Sequence, residues 1–195
     1  MQDAMALKEL FEKQKKGNKD ENKADDNEEI LQFIGFIIGT EEYAIPILNI
    51  LEIVKPIGYT RVPETPNYVL GVFNLRGNVF PLISLRLKFG LPPEKLNKDM
   101  RYLVVRHNDQ IAGFYIDRLT EAIRIKQSDI DPVPETLLEN NQLIFGIGKR
   151  EDKLVSILKV EEILKKRLLR VLVNPKEIRV CFYTPRHWHK KLWSV

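Results

Sequence analysis

The sequence predicts a mainly β protein, and three observations support this fold class. From Ile30 onward, short runs rich in Ile, Val, Phe, Tyr and Leu alternate with polar turns, as in an all-β barrel or sandwich. The second observation is the regular punctuation by these turns, of which the clearest are GTEE at 39–42, RGN at 76–78, HNDQ at 107–110 and KRED at 149–152. The third observation is an internal repeat, because VPET occurs at 62–65 and again at 133–136. As a separate point, no apolar run approaches the ~20 residues that a membrane helix requires.

The first 29 residues differ in composition from the rest of the chain. Within residues 4–16 apolar side chains recur at helical spacing, whereas residues 17–29 contain no large apolar side chain. The first stretch predicts a short helix that is marginal in isolation. The second cannot bury enough apolar surface to fold, so we expect a disordered tether. Residues 1–29 are therefore predicted to be an N-terminal extension.

The repeat continues on both sides of the VPET stretches. Residues 43–54 align with 111–123, which matches Glu52 with Glu121 after one inserted residue. GV at 71–72 aligns with GI at 146–147, and residues 79–85 align with 154–160. The order of the matched segments is the same in both copies, and the offset grows from 68 to 75 positions through small insertions. Two β segments of ordinary composition could share some of these features, but a chance tetrapeptide would not have matched strands on both sides. We interpret the pattern as a duplication.

Two units of about 55–65 residues each would have the size of an SH3-like barrel, at about residues 36–95 and 100–160. A unit of this size buries little core, so the two units are expected to share an interface. After the second unit, residues 160–169 place apolar side chains on one face, which predicts a closing helix.

The positive charge lies in the C-terminal tail. The formal net charge is +4, and residues 168–195 hold six basic residues and one acidic residue, a net +5, so residues 1–167 carry −1. A nucleic-acid site needs a concentrated basic face, which the main body lacks. The tail, with Trp188 and Trp193 as stacking groups, leaves nucleic-acid binding open as an alternative. It is either a lineage-specific addition or the result of an altered reading frame or added sequence.

The residues indicate a cytoplasmic protein without a catalytic site. The charged N-terminus lacks a secretory signal, and a single cysteine, Cys181, fits a reducing compartment. No serine lies in a GxSxG elbow, and Cys181, His187 and His189 lack a fourth ligand at zinc-finger spacing. We expect no catalytic residue, no cofactor and no metal site. An enzyme with a cryptic site is a third reading.

The segment GVFNLRGNVFPLISLR, residues 71–86, carries the most specific pattern. It resembles the signature of the CheW family of chemotaxis coupling proteins, approximately G-V-x-N-L-R-G-x-x-x-P-x-x-D-L-R, and departs from it at Ser84. Residues 39–53 are also similar to the first hairpin of that family. The resemblance covers about residues 30–167.

The resemblance implies a fold of two intertwined five-stranded SH3-like barrels with a closing C-terminal helix, and no catalysis. Members of the family join the cytoplasmic tips of transmembrane chemoreceptors to the regulatory domain of the histidine kinase CheA. CheV-type proteins are a further expected partner, and nucleic acid is not. We therefore expect the protein in the cytoplasm, at membrane-associated chemoreceptor arrays, without insertion into the membrane.

The resemblance also implies two groups of site residues. The receptor and kinase coupling site is expected at Ile50, Glu52, Gly71 and Arg76. Of these, Arg76 and Glu52 are expected to form a functional pair, and a packing role is the alternative for Gly71. A face of the second barrel that closes rings is expected at Asp131, Thr136 and Leu137. This face is expected either to be weaker than in the family or to attract a basic partner surface through Asp131. Residues 1–29 and 168–195 lie outside the repeat and are expected to be dispensable for coupling.

Overall fold

The computed structural model describes residues 29–133, 142–150, 153–165 and 181–183. Thr136, Leu137, nearly all of the predicted N-terminal extension and most of the tail lie outside these ranges. The strands are β1 (Ile30–Ile38), β2 (Glu41–Pro46), β3 (Ile50–Val54), β4 (Tyr59–Arg61), β5 (Val69–Leu75), β6 (Asn78–Ser84), β7 (Arg101–His107), β8 (Gln110–Ile116), β9 (Arg118–Lys126), β10 (Ile130–Pro132), β11 (Ile144–Arg150), β12 (Lys153–Leu158) and β13 (Cys181–Tyr183). The short helices are α1 (Leu85–Lys88) and α2 (Val160–Ile163). Within the described ranges, no helix has the length and apolar character to span a bilayer.

The strands form two sheets that exchange hairpins. The sheet orders are β10-β11-β12-β2-β1-β9 and β13-β4-β5-β6-β8-β7-β3. The first hairpin of the first repeat, β1–β2, pairs with β9 and β12 of the second repeat. The first hairpin of the second repeat, β7–β8, pairs in the same way with β3 and β6. The mainly β, intertwined fold is therefore confirmed, and the sheets cross the boundary between the two predicted units.

A close approach between two strands at a glycine occurs in both repeats. A Cβ atom on Gly71 in β5 would lie 2.0 Å from the carbonyl oxygen of Thr60 in β4. A Cβ atom on Gly146 in β11 would lie 2.8 Å from the carbonyl oxygen of Asp131 in β10. The fourth and fifth strands of each repeat thus approach each other at a glycine, at positions that the sequence alignment equates.

The core consists of a small apolar cluster in each sheet and a larger one that both sheets share. Phe33 and Ile157 belong to the cluster of the six-stranded sheet, and Phe73 and Tyr102 to that of the seven-stranded sheet. The largest cluster draws buried residues from both repeats and from α2. Because each barrel alone buries so little, the shared cluster holds the two barrels together.

The closing helix is present but short where it is described. Val160, Ile163 and Leu164 are buried in the shared cluster, as the apolar spacing predicted. Residues 166–169 of the predicted helix lie outside the described ranges.

Candidate partner-binding surfaces

The signature hairpin holds Arg76 at its tip by a tight turn. Arg76 and Gly77 join β5 to β6 with φ angles of 52° and 86°. Positive φ at both central residues is the requirement of a type I′ turn, which matches the twist of the flanking strands. The Gly77 N–H donates to Asn74 Oδ1 at 3.0 Å. The Asn-Leu-Arg-Gly part of the signature therefore builds a rigid tip that presents an arginine.

Arg76 and Glu52 form an ion pair, and the function that the resemblance implies for this pair stays a prediction. Arg76 Nη2 donates to Glu52 Oε1 at 2.9 Å, and the two side chains are 76% and 31% exposed. Two strands, β8 and β7, separate β6 from β3 along the sheet, so this contact crosses the closure of the barrel. An exposed pair of this kind contributes only about 0–1 kcal/mol to stability. Its surface position leaves it accessible to a partner.

Exposed aliphatic side chains accompany this pair. Leu48 and Leu51 in the segment around Glu52 are exposed, and Val79, just after the hairpin tip, is 62% exposed. Ile50 is instead half-buried and packs against the shared core cluster. The resemblance pointed to Ile50 and did not point to its exposed neighbours.

Gly71 has an internal reason to be glycine. It is buried, its φ angle is 147°, and it lies at a register shift in the pairing of β5 with β6. The distance of 2.0 Å between an added Cβ atom and the Thr60 carbonyl oxygen leaves no room for a side chain. This geometry supports the packing alternative, because the close neighbour belongs to the same barrel.

The second barrel carries a similar ion pair that the sequence reasoning did not single out. Arg150 at the end of β11 donates to Glu121 in β9 at 2.6 Å, and this hydrogen bond lowers the pKa of the Glu121 carboxyl. Leu154, two residues into β12, is 65% exposed. The repeat already equated Glu52 with Glu121, and that alignment was the available signal.

Asp131 is exposed but already has a cationic neighbour. Lys149 Nζ lies 2.7 Å from Asp131 Oδ2, and this hydrogen bond raises the pKa of the Lys149 ammonium. The charge that was expected to attract a basic partner surface is therefore largely compensated within the chain.

Arg86, the last residue of the signature, joins the two repeats. It contacts Asp117 Oδ2 and Glu94, the latter at 3.0 Å, and Asp117 also accepts from the Gly39 N–H at 2.7 Å. The Arg86 and Asp117 side chains are only 17% and 13% exposed. This part of the signature is structural.

Ser84, at the aspartate position of the signature, caps α1. Its Oγ accepts from the Leu87 N–H at 3.2 Å. Serine and aspartate are both strong N-cap residues. The departure from the signature therefore preserves the local interaction.

The comparisons with known proteins agree with this geometry. Residues 32–168 match the family model of the CheW-like domain. The chemotaxis protein CheW of Helicobacter pylori is 82% identical over 160 residues, which cover 82% of this chain and 96% of that protein. The chemotaxis protein CheW of Bacillus subtilis is 32% identical over 136 residues, covering 69% and 87% of the two chains. The crystal structure of the scaffolding protein TtCheW from Thermoanaerobacter tengcongensis is 31% identical, with a TM-score of 0.65 over 77% of this chain and 99% of that one. The family match includes the signature hairpin and the whole repeated unit. This chain therefore belongs to the CheW-like family.

Proposed function

We propose that this protein is a non-enzymatic adaptor that couples transmembrane chemoreceptors to the histidine kinase CheA and helps to assemble chemoreceptor arrays. The observation that carries the proposal is the exposed Arg76–Glu52 pair at the tip of the signature hairpin. Family membership and the names of the relatives as chemotaxis proteins support it.

The chemistry of this tip suits recognition of another protein. Arginine is enriched among the residues that dominate interface energies, and Leu51 and Val79, close to Glu52 and Arg76 in the sequence, are exposed apolar side chains. The type I′ turn fixes the backbone of Arg76 before binding, so less conformational freedom is lost on association. Glu52 accepts a hydrogen bond from the guanidinium. The pair thus positions partners and adds little to the stability of the fold.

The duplicated fold gives the adaptor two ends. The first end has the Arg76–Glu52 pair and the second has Arg150–Glu121. The first end binds the regulatory domain of CheA, and the cytoplasmic receptor tip docks there as a helical hairpin with apolar anchors. The coupling region at this end consists of Ile50, Glu52, Gly71 and Arg76. The ring face lies on the second barrel, around Asp131. The protein works in the cytoplasm at receptor arrays, where CheV-type proteins are a further partner.

A pull-down with a receptor cytoplasmic fragment and CheA tests the proposal. The full chain should retain both partners at low salt and at about 0.5 M salt, because a largely apolar barrel contact tolerates salt better than phosphate binding does. Retention of nucleic acid at low salt, with loss of both proteins, would instead support binding through the basic tail.

A further inference from the structure

Strand β4 would end the seven-stranded sheet if the chain stopped after the repeated unit. On one side β4 pairs with β5, through Tyr59 with Phe73 and Thr60 with Val72. On the other side it pairs with β13, which lies beyond the end of the family match at residue 168. The equivalent strand of the second repeat, β10, is the last strand of the other sheet within the described residues. The two repeats therefore differ in the way this edge is covered.

The pairing of β13 with β4 is antiparallel and covers the whole of β4. The Cα partners are Cys181 with Arg61, Phe182 with Thr60 and Tyr183 with Tyr59. The chain between α2 and β13, residues 164–180, can extend to about 55 Å. This length is the upper limit of the distance that the connection can bridge.

A cavity of about 530 Å³ lies against β4. Its wall includes Tyr59 and Arg61 of β4 together with the apolar side chains of Leu70, Leu87 and Met100. A sheet edge with unpaired backbone groups binds an extended segment through main-chain hydrogen bonds, while adjacent pockets take alternate side chains. The β4 edge and this cavity provide both features in one place.

We propose that the β4 edge and the adjoining cavity form a strand-docking site, which residues 181–183 of the same chain occupy. Docking pairs the outward backbone groups of β4 and closes an edge that could otherwise pair with another chain. The docked segment pairs with β4, which contributes no residue to the Arg76–Glu52 pair. The tail can therefore be dispensable for coupling and still cap the fold.

The sole cysteine allows a direct test in the full chain. Directly opposed residues of antiparallel strands have Cα atoms about 4.5–5.5 Å apart, within the range that a disulfide bridges. The variant Arg61→Cys should therefore form an intramolecular disulfide with Cys181 under mild oxidation, detected by mass spectrometry of the monomer. The matched control is Arg118→Cys, which also replaces an exposed strand arginine but lies in the other sheet.

Pairing of β13 with β4 should make the Arg61→Cys variant oxidise at least about tenfold faster than the control, because docking raises the effective concentration of the two thiols. Equal rates in the two variants, or disulfide-linked dimers alone, would overturn the proposal.

Hydrogen exchange gives a second readout that needs no new cysteine. The double variant Cys181→Pro, Phe182→Pro removes two consecutive backbone N–H groups from β13, one of which must point towards β4 because successive strand N–H groups point to opposite sides. The amides of Tyr59–Arg61 that face β13 should then exchange at least about tenfold faster, whereas the matched double variant Trp188→Pro, His189→Pro, outside β13, should leave them unchanged. Unchanged protection of every Tyr59–Arg61 amide in the first double variant would show that the tail does not cover β4.

Discussion

Gly71 illustrates how one position of a signature can serve the fold. Its φ angle of 147° is strained for any residue with a side chain, and its missing Cβ faces the Thr60 carbonyl at 2.0 Å. The matched control is Gly58, which has open space where a Cβ would be placed.

Gly71→Ala should lower the free energy of unfolding by at least about 1–3 kcal/mol, because the backbone strain and the lost β4–β5 approach act together. Gly58→Ala should change it by less than about 0.5 kcal/mol. Denaturant unfolding measures both. If Gly71→Ala unfolds like the wild type but fails to bind receptor fragments, Gly71 is a docking residue and the packing role is wrong.

At the residue scale, sequence reasoning located the Arg76–Glu52 pair but could not rank the residues around it. The resemblance placed Arg76 and Glu52 on neighbouring strands of the first barrel. In the described sheet β3 pairs with β7 and not with β5 or β6, but the two side chains still meet at 2.9 Å. Whether Ile50 or Leu51 faces outward depends on the 3-10 turn at Ile47–Asn49 and on the bulge that follows in the β3–β7 pairing. Such irregularities shift the side-chain alternation and leave no clear mark in the sequence.

At the scale of elements, α1 depends on its N-cap. Ser84 is buried and accepts the Leu87 N–H, whereas the N-cap of α2 is Lys159, which makes no side-chain capping bond. Ser84→Ala should therefore lower the unfolding free energy by about 0.5–2 kcal/mol, and Ser84→Asp should retain the cap.

Thermal and denaturant unfolding can check this prediction against Ser156→Ala, a serine in the middle of β12. That control should change stability by less than about 0.5 kcal/mol. Equal effects of the two alanine substitutions would mean that the α1 cap does not contribute to stability.

The hairpins were predictable, but their pairing was not. Each of the four polar turns identified in the sequence joins two consecutive strands, since turn residues and alternating apolar residues are local signals. The exchange of first hairpins, with parallel contacts of β6 to β8 and β12 to β2, is a long-range arrangement. An aligned repeat indicates which strands are equivalent and not which strands pair.

In the whole molecule, duplication yields two similar ends that differ in the number of their exposed ion pairs. The second end adds the Asp131–Lys149 pair, with both side chains more than half exposed. Asp131→Lys would place two cations together at this surface. It should impair assembly of receptor–kinase arrays, measured by co-sedimentation, while binary binding to CheA through the first end continues.

The double variant Asp131→Lys, Lys149→Asp separates a local effect from a partner contact. It restores an ion pair of opposite polarity, so recovery of assembly would show that only the local pair matters. Normal arrays with the single Asp131→Lys variant would place the ring face elsewhere on the second barrel.

Coupling of receptor to kinase through the Arg76 tip can be measured directly as CheA autophosphorylation, reconstituted with a receptor fragment and the full chain. Arg76→Ala should reduce receptor-dependent kinase activation about tenfold or more, as expected for an interface arginine. The melting temperature should change little, because the exposed ion pair adds only about 0–1 kcal/mol. Arg118→Ala, an exposed arginine on β9, should preserve activation. Full activation by Arg76→Ala, or a large loss of stability with normal activation, would show that Arg76 does not couple receptor to kinase.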